Sequence, residues 1–64
     1  MKEKYELKRR KEKESGATYD QVRYLRDLGA DVRMRDRDMM NRFSSTEVSK
    51  GISKRKNGIN VVVK

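Results

Sequence analysis

The chain has 64 residues, with 18 Lys and Arg against 10 Asp and Glu, no His, and a formal net charge of +8. It is too short for two domains or for the deep, walled pocket of a typical enzyme. Without Cys or His it has no disulfide, no structural zinc site and none of the common catalytic bases, and it has no apolar run of membrane-spanning length. We therefore expect no enzyme activity, no metal, no cofactor and no membrane contact.

The positive charge is the first indication of a partner. A pI of about 10.1 favours binding to a polyanion, because each Lys or Arg that neutralises a phosphate releases condensed counterions. The basic residues are spread along the chain, with seven in residues 1–16, six in 17–43 and five in 44–64. The same charge could serve only to keep a small cytoplasmic protein soluble, and both interpretations stay open here.

Residues 1–14 are strong helix formers with almost no apolar stripe. Only Tyr5 and Leu7 could pack, and their spacing of two places them on different faces of a helix. We therefore predict a basic N-terminal arm or frayed helix over residues 1–16, followed by a single small helical domain over 17–64. The arm contains a run of four cations that is either a solvated terminus or a second clamp on nucleic acid: Lys8, Arg9, Arg10 and Lys11.

A helix over 19–28 is predicted by signals at both of its ends. Thr18 and Gln21 have the spacing of a capping box, and Gly29 stands where a left-handed residue ends a helix. One face of this helix carries apolar residues every three positions. These residues are Val22, Leu25 and Leu28.

Residues 30–43 give weaker signals. The alternation of apolar and charged residues over 31–34 predicts a short extended segment, and the spacing of Met39, Met40 and Phe43 predicts a helix over 37–42. A helix over 45–56 follows more clearly, with Ser44 and Glu47 as a second capping box and Asn57 with Gly58 at its end.

The helices 37–42 and 45–56, joined by a short turn, would form a helix-turn-helix supported by helix 19–28. The exposed face of the second helix would present hydroxyls and ammonium groups, which are the groups that contact phosphates. Its candidate nucleic-acid contacts are Ser45, Thr46, Lys50, Lys54 and Lys56. No Asn or Gln lies on this face, so base-specific recognition is poorly supported.

The β-branched tail needs a partner strand, since an isolated strand is not stable. We predict that 59–63 pairs with 31–34, while pairing with a partner protein or a second copy, and disorder, stay as alternatives. The fold class is then mainly α, with two or three short helices and a small two-stranded β pairing. The expected core is thin, which favours a homodimer or folding coupled to binding. It comprises Val22, Leu25, Leu28, Met40, Phe43, Val48 and Ile52.

Two capped segments resemble a known module. The pattern Ala17-Thr18-x-x-Gln21-x-x-Tyr24-Leu25-x-x-Leu28-Gly29, followed by Ser45-Thr46-Glu47-Val48-Ser49-x-x-Ile52, resembles a short helix-loop-helix module of phages, plasmids and other mobile elements. That module is often appended to DNA-metabolism proteins. The match covers residues 17–54 and departs from the module at Val48, often Ala there, and in the charged loop 33–38. The resemblance implies a mobile-element setting close to DNA and supplies no catalytic residue.

Two functions follow as hypotheses. The first is a small nucleic-acid-binding accessory protein, with DNA as the expected partner and with phosphate-dominated, weakly sequence-specific contacts. The second is an adaptor or inhibitor that docks on an acidic protein. It would use the C-terminal strand to extend a sheet edge and Met34, Met39 and Met40 as adaptable contacts.

Overall fold

The computed structural model describes residues 3–64. Its elements in chain order are β1 (Lys4–Glu6), α1 (Tyr19–Asp27), β2 (Asp31–Val32), α2 (Asp36–Arg42), α3 (Ser45–Lys56) and β3 (Asn60–Val63). The strands form one sheet in the order β1-β3-β2, with both neighbours parallel to β3. The three predicted helices are present, but a three-stranded parallel sheet makes the fold more than mainly α. No helix within residues 3–64 is long and apolar enough to cross a membrane.

The caps explain where the helices begin and end. Thr18 Oγ1 accepts the Gln21 N–H at 3.2 Å and the Gln21 side chain accepts the Thr18 N–H at 3.1 Å, so the first capping box is complete. Helix α1 ends one residue earlier than predicted, and Gly29 follows with φ of +93°. Helix α3 has the predicted bounds, but only half of its capping box forms. Ser44 Oγ accepts the Glu47 N–H at 3.0 Å, and the Glu47 side chain has other partners.

The predicted pairing of the tail is confirmed and extended. Val62 and Val63 align with Asp31 and Val32 of β2, and the other edge of β3 pairs with β1. As the central strand, β3 has both edges paired, and its three valines are also buried, which fits a continuous apolar run.

Within the described residues 3–16, the expectation of a basic arm or frayed helix is wrong at β1 and at Leu7. Lys4–Glu6 is a strand, and Leu7, only 6% exposed, donates its N–H to the Val62 carbonyl at 3.2 Å. Beyond it the chain follows the corner between α2 and α3, where Arg10 N–H donates to the Arg42 carbonyl at 2.8 Å. Burial of Leu7 and pairing with β3 therefore override the helix propensity of this segment. Met1 and Lys2 lie outside the described residues.

The core is larger than expected, and three of the seven expected residues are not fully buried in it. Met39, not Met40, is fully buried on α2, and Leu28 and Ile52 are only half-buried because they lie at the margins of their helices' packed faces. The N-terminal segment and β3 supply residues that were not expected in the core. The buried cluster is Leu7, Ala17, Val22, Leu25, Met39, Phe43, Val48, Val61 and Val63.

Gly51 lets Leu7, which follows β1, and Val61 of β3 approach α3 closely. A Cβ built on Gly51 would lie 2.9 Å from Leu7 Cδ2 and 3.5 Å from Val61 Cγ1. Glycine in a helix lowers stability by about 1 kcal/mol relative to alanine. The space that the Leu7 side chain occupies explains why position 51 is nevertheless a glycine.

We expect the stability effects of Leu7 and Gly51 to be coupled. Leu7→Ala should lower the free energy of unfolding by about 2–3 kcal/mol through the lost burial and the cavity left behind. Gly51→Ala should be less favourable in the wild type, where the end of the Leu7 side chain must move, than in the Leu7→Ala background, where it should raise the free energy of unfolding by up to about 1 kcal/mol. Urea unfolding of the four proteins measures the coupling. Strictly additive effects would show that Leu7 does not pack on Gly51.

Candidate nucleic-acid interface

Tyr5 joins β1 to the first turn of α3. Its hydroxyl donates to Glu47 Oε2, and the Lys8 backbone N–H donates to the same carboxylate oxygen at 3.1 Å. Glu47 therefore accepts two hydrogen bonds from the N-terminal segment. Its carboxylate fastens this segment to α3 instead of completing the capping box.

Two lysines of α3 lie over the Tyr5 ring. The Lys50 and Lys54 Nζ atoms are 5.5 and 4.9 Å from the ring centroid, within the range of a cation–π interaction. Thr46 is exposed one helical turn before Lys50, and Lys8 is exposed where its backbone N–H bonds to Glu47. We call this surface the lysine face. It consists of Lys8, Thr46, Lys50 and Lys54.

The cations of the lysine face have no carboxylate partner within 4.0 Å among residues 3–64. The ion pairs among these residues are Arg26 with Asp36 at 2.8 Å and Arg33 with Asp31 at 3.5 Å, and neither includes a residue of the lysine face. Glu47, which lies beneath these lysines, is engaged by a hydroxyl and a backbone N–H. The ammonium groups of the lysine face are thus available to an external anion.

The other predicted contacts lie elsewhere. Ser45 Oγ donates to Gln21 Oε1 at 2.9 Å and so belongs to the contact between α1 and α3. Lys56 Nζ lies 5.0 Å from the ring centroid of Tyr24 on α1, on the opposite side of α3 from Lys54. The structure therefore brings together three of the five residues predicted on α3.

The predicted contacts in the basic run 8–11 also lie in different surroundings. The Arg10 guanidinium donates to the Asn41 carbonyl, at the end of α2, and to the Glu14 carbonyl at 2.8 Å. It therefore serves as a cationic cap for the last turn of α2. Arg9 and Lys11 are exposed, in continuation of Lys8.

A second cationic surface was missed by sequence reasoning. An open cleft of about 540 Å³ lies between α1 and the segment that joins β2 to α2. We call it the arginine cleft, because its charged lining includes four arginines: Arg23, Arg26, Arg33 and Arg35. Val32, Met34 and Asp36 complete the lining. The alternating arginines at 33 and 35 were a signal, but their proximity to α1 depends on the tertiary fold.

The tail is not available to extend a partner's sheet. Both edges of β3 are paired within the chain, and Met39 is fully buried in the core. The adaptor hypothesis thus loses its docking strand and one of its three methionine contacts.

Comparison with models of known protein families, with curated proteins and with solved structures finds no match to this chain. The geometry and the charges of the two cationic surfaces therefore carry the functional argument.

Partial burial of the Tyr5 hydroxyl, its hydrogen bond to Glu47 and the charge of that carboxylate raise the pKa of Tyr5 from 10.0 to about 12. The folded chain holds this proton more tightly than the unfolded chain. Between pH 10 and 12 the unfolded chain releases it first, so the contribution of Tyr5 to stability is present below pH 10 and is lost as the pH rises through 12.

We expect Tyr5→Phe to remove a phenol component that titrates near pH 12 in an absorbance titration of phenolate formation. Tyr19→Phe, which changes an exposed phenol, is the matched control and should leave that component in place. Circular dichroism at each pH monitors folding. Persistence of the late component in the Tyr5→Phe protein would contradict the assignment.

Proposed function

We propose that this protein is a small nucleic-acid-binding accessory protein that holds the phosphate backbone on its lysine face. The proposal is a binding role in the cytoplasm and not catalysis. DNA is the expected partner, in the mobile-element setting that the resemblance of residues 17–54 implies.

The observation that carries this proposal is the pair of ammonium groups over Tyr5. Lys50 and Lys54 come from successive turns of α3 and are directed to one side of the helix by the same ring. They stand there without carboxylate partners among residues 3–64. Clustered, unpaired cations on one surface are the electrostatic footprint of phosphate recognition.

The surroundings of α3 favour surface contact over insertion into a groove. The helix is flanked by α1 on one side and by Tyr5 of β1 on the other. A recognition helix must instead project far enough to reach base edges in the major groove. Contacts from Lys8, Lys50 and Lys54 would therefore fall on phosphates, with weak dependence on base sequence.

We expect the triple variant Lys8→Gln, Lys50→Gln, Lys54→Gln to bind duplexes of unrelated sequence more weakly by a similar factor. Three lost phosphate contacts should flatten the plot of log K against log salt by roughly 2.7, since each contributes about 0.9. Fluorescence anisotropy at several salt concentrations measures both quantities.

The matched control changes three cations outside the lysine face, Lys13, Arg42 and Lys56, to Gln. It removes the same charge and should change the slope much less. Thermal melts should show that both variants are folded. Equal slopes for the two triple variants would remove the lysine face from the interface, and absence of any binding at low salt would contradict the proposed function itself.

A further inference from the structure

We propose that the arginine cleft is a second nucleic-acid site, and that it accepts single-stranded nucleic acid with at least one unpaired base. This inference rests on the proposed function and deepens it, because it specifies the form of nucleic acid that the protein binds. The lysine face can hold the phosphates of a duplex or of a single strand, whereas the cleft offers contacts that only an unpaired nucleotide can use.

The cleft has two arginines that are free to bind and one that holds its shape. Arg26 pairs with Asp36 at 2.8 Å and donates to the Met34 carbonyl at 2.9 Å, so it fixes the segment after β2 against α1. Arg23 and Arg35 are exposed and have no carboxylate partner within 4.0 Å among residues 3–64. Each guanidinium can donate two parallel hydrogen bonds to a phosphate.

Arg33 adds charge to the cleft with only a weak internal partner. Its distance to Asp31 is 3.5 Å, and both side chains are more than half exposed, so solvent screens this pair. A phosphate at the cleft can therefore compete with Asp31 for Arg33. The carboxylate of Asp36, by contrast, is already neutralised by Arg26.

The cleft also has an apolar part. Val32 and Met34 are half-buried and lie among the lining residues. The cleft is shallow and open to solvent along most of its surface, so a nucleotide would lie across it and not be enclosed by it. Aliphatic and thioether groups between arginines offer a surface for the face of a base while the guanidiniums hold its phosphate.

An exposed aromatic residue extends this surface along α1. Tyr19 is 54% exposed, and Tyr19, Arg23 and Arg26 share one helix face by their spacing of four and three. Aromatic rings beside a cationic groove are the stacking platforms of single-strand-binding proteins. A duplex keeps its base faces stacked inside and cannot use Tyr19 or Met34 in this way. An acidic peptide would use the arginines alone.

The test compares a labelled thymidine oligonucleotide of about 15 nucleotides with a duplex of the same length, using the full chain and fluorescence anisotropy. The cleft variant is Arg23→Gln with Arg35→Gln, and the charge-matched control is Lys13→Gln with Arg42→Gln. The cleft variant should lose single-strand affinity about tenfold or more beyond the control, while the two variants bind the duplex alike. Arg26 is left intact because it supports the fold.

Tyr19 provides an uncharged test of the same site. Tyr19→Ala should weaken single-strand binding about fivefold or more and leave duplex binding unchanged, whereas Tyr19→Phe should retain both. Because Tyr19 is exposed, these variants should fold as the wild type does. Equal single-strand affinities in the wild type and in Tyr19→Ala, together with tighter binding of an oligoglutamate peptide of the same length than of the oligonucleotide, would overturn the inference in favour of an acidic protein ligand.

The outcomes separate the two proposals. Duplex binding that depends on the lysine face, with equal single-strand affinities for the cleft and control variants, overturns the cleft and leaves the proposed function standing. Loss of single-strand binding in both the cleft variant and Tyr19→Ala, with duplex binding retained, supports the cleft. Absence of binding to either nucleic acid at low salt overturns both proposals.

Discussion

The position of β3 between two parallel neighbours is the constraint on which the rest of the structure depends. β1 and β2 do not pair with each other, so neither strand has a place in the sheet until β3 is present. β3 in turn needs both, because its valines are buried and its two rows of backbone hydrogen-bonding groups must be paired. The sheet therefore couples the ends of the described chain and orders every segment between them.

Each edge of β3 also positions one of the two cationic surfaces. β1 places Tyr5 under the lysines of α3, and β2 leads directly into Arg33 and Arg35 opposite α1. Since neighbouring strands are about 4.8 Å apart, the backbones of β1 and β2 are separated by roughly 10 Å. The lysine face and the arginine cleft are thus two separate cationic surfaces on one sheet, and the central strand lies between the strands that position them.

Local signals in the sequence were sufficient for the helices and insufficient for the sites. Caps at Thr18 and Ser44 and glycines after the helices act within a few residues, so they predict helix bounds well. β1 forms only by pairing with β3, which lies more than fifty residues further along the chain, so local signals do not predict it. The spacing of two between Tyr5 and Leu7 is nevertheless the period of a strand. The arginine cleft and the separation of Lys56 from Lys54 depend on packing between helices, which no local pattern encodes.

The unpaired cations link binding to stability. Glu47 fastens Tyr5 and Lys8 to α3 without neutralising Lys50 or Lys54, so the folded chain retains positive charges that repel one another. Pairing these lysines with carboxylates would relieve the repulsion and remove the binding surface. A polyanion relieves it from outside, and a ligand that binds only the folded chain stabilises that chain by mass action. A small core and a surface of unpaired charge would therefore be compatible if, as proposed, the protein functions while it is bound to a polyanion.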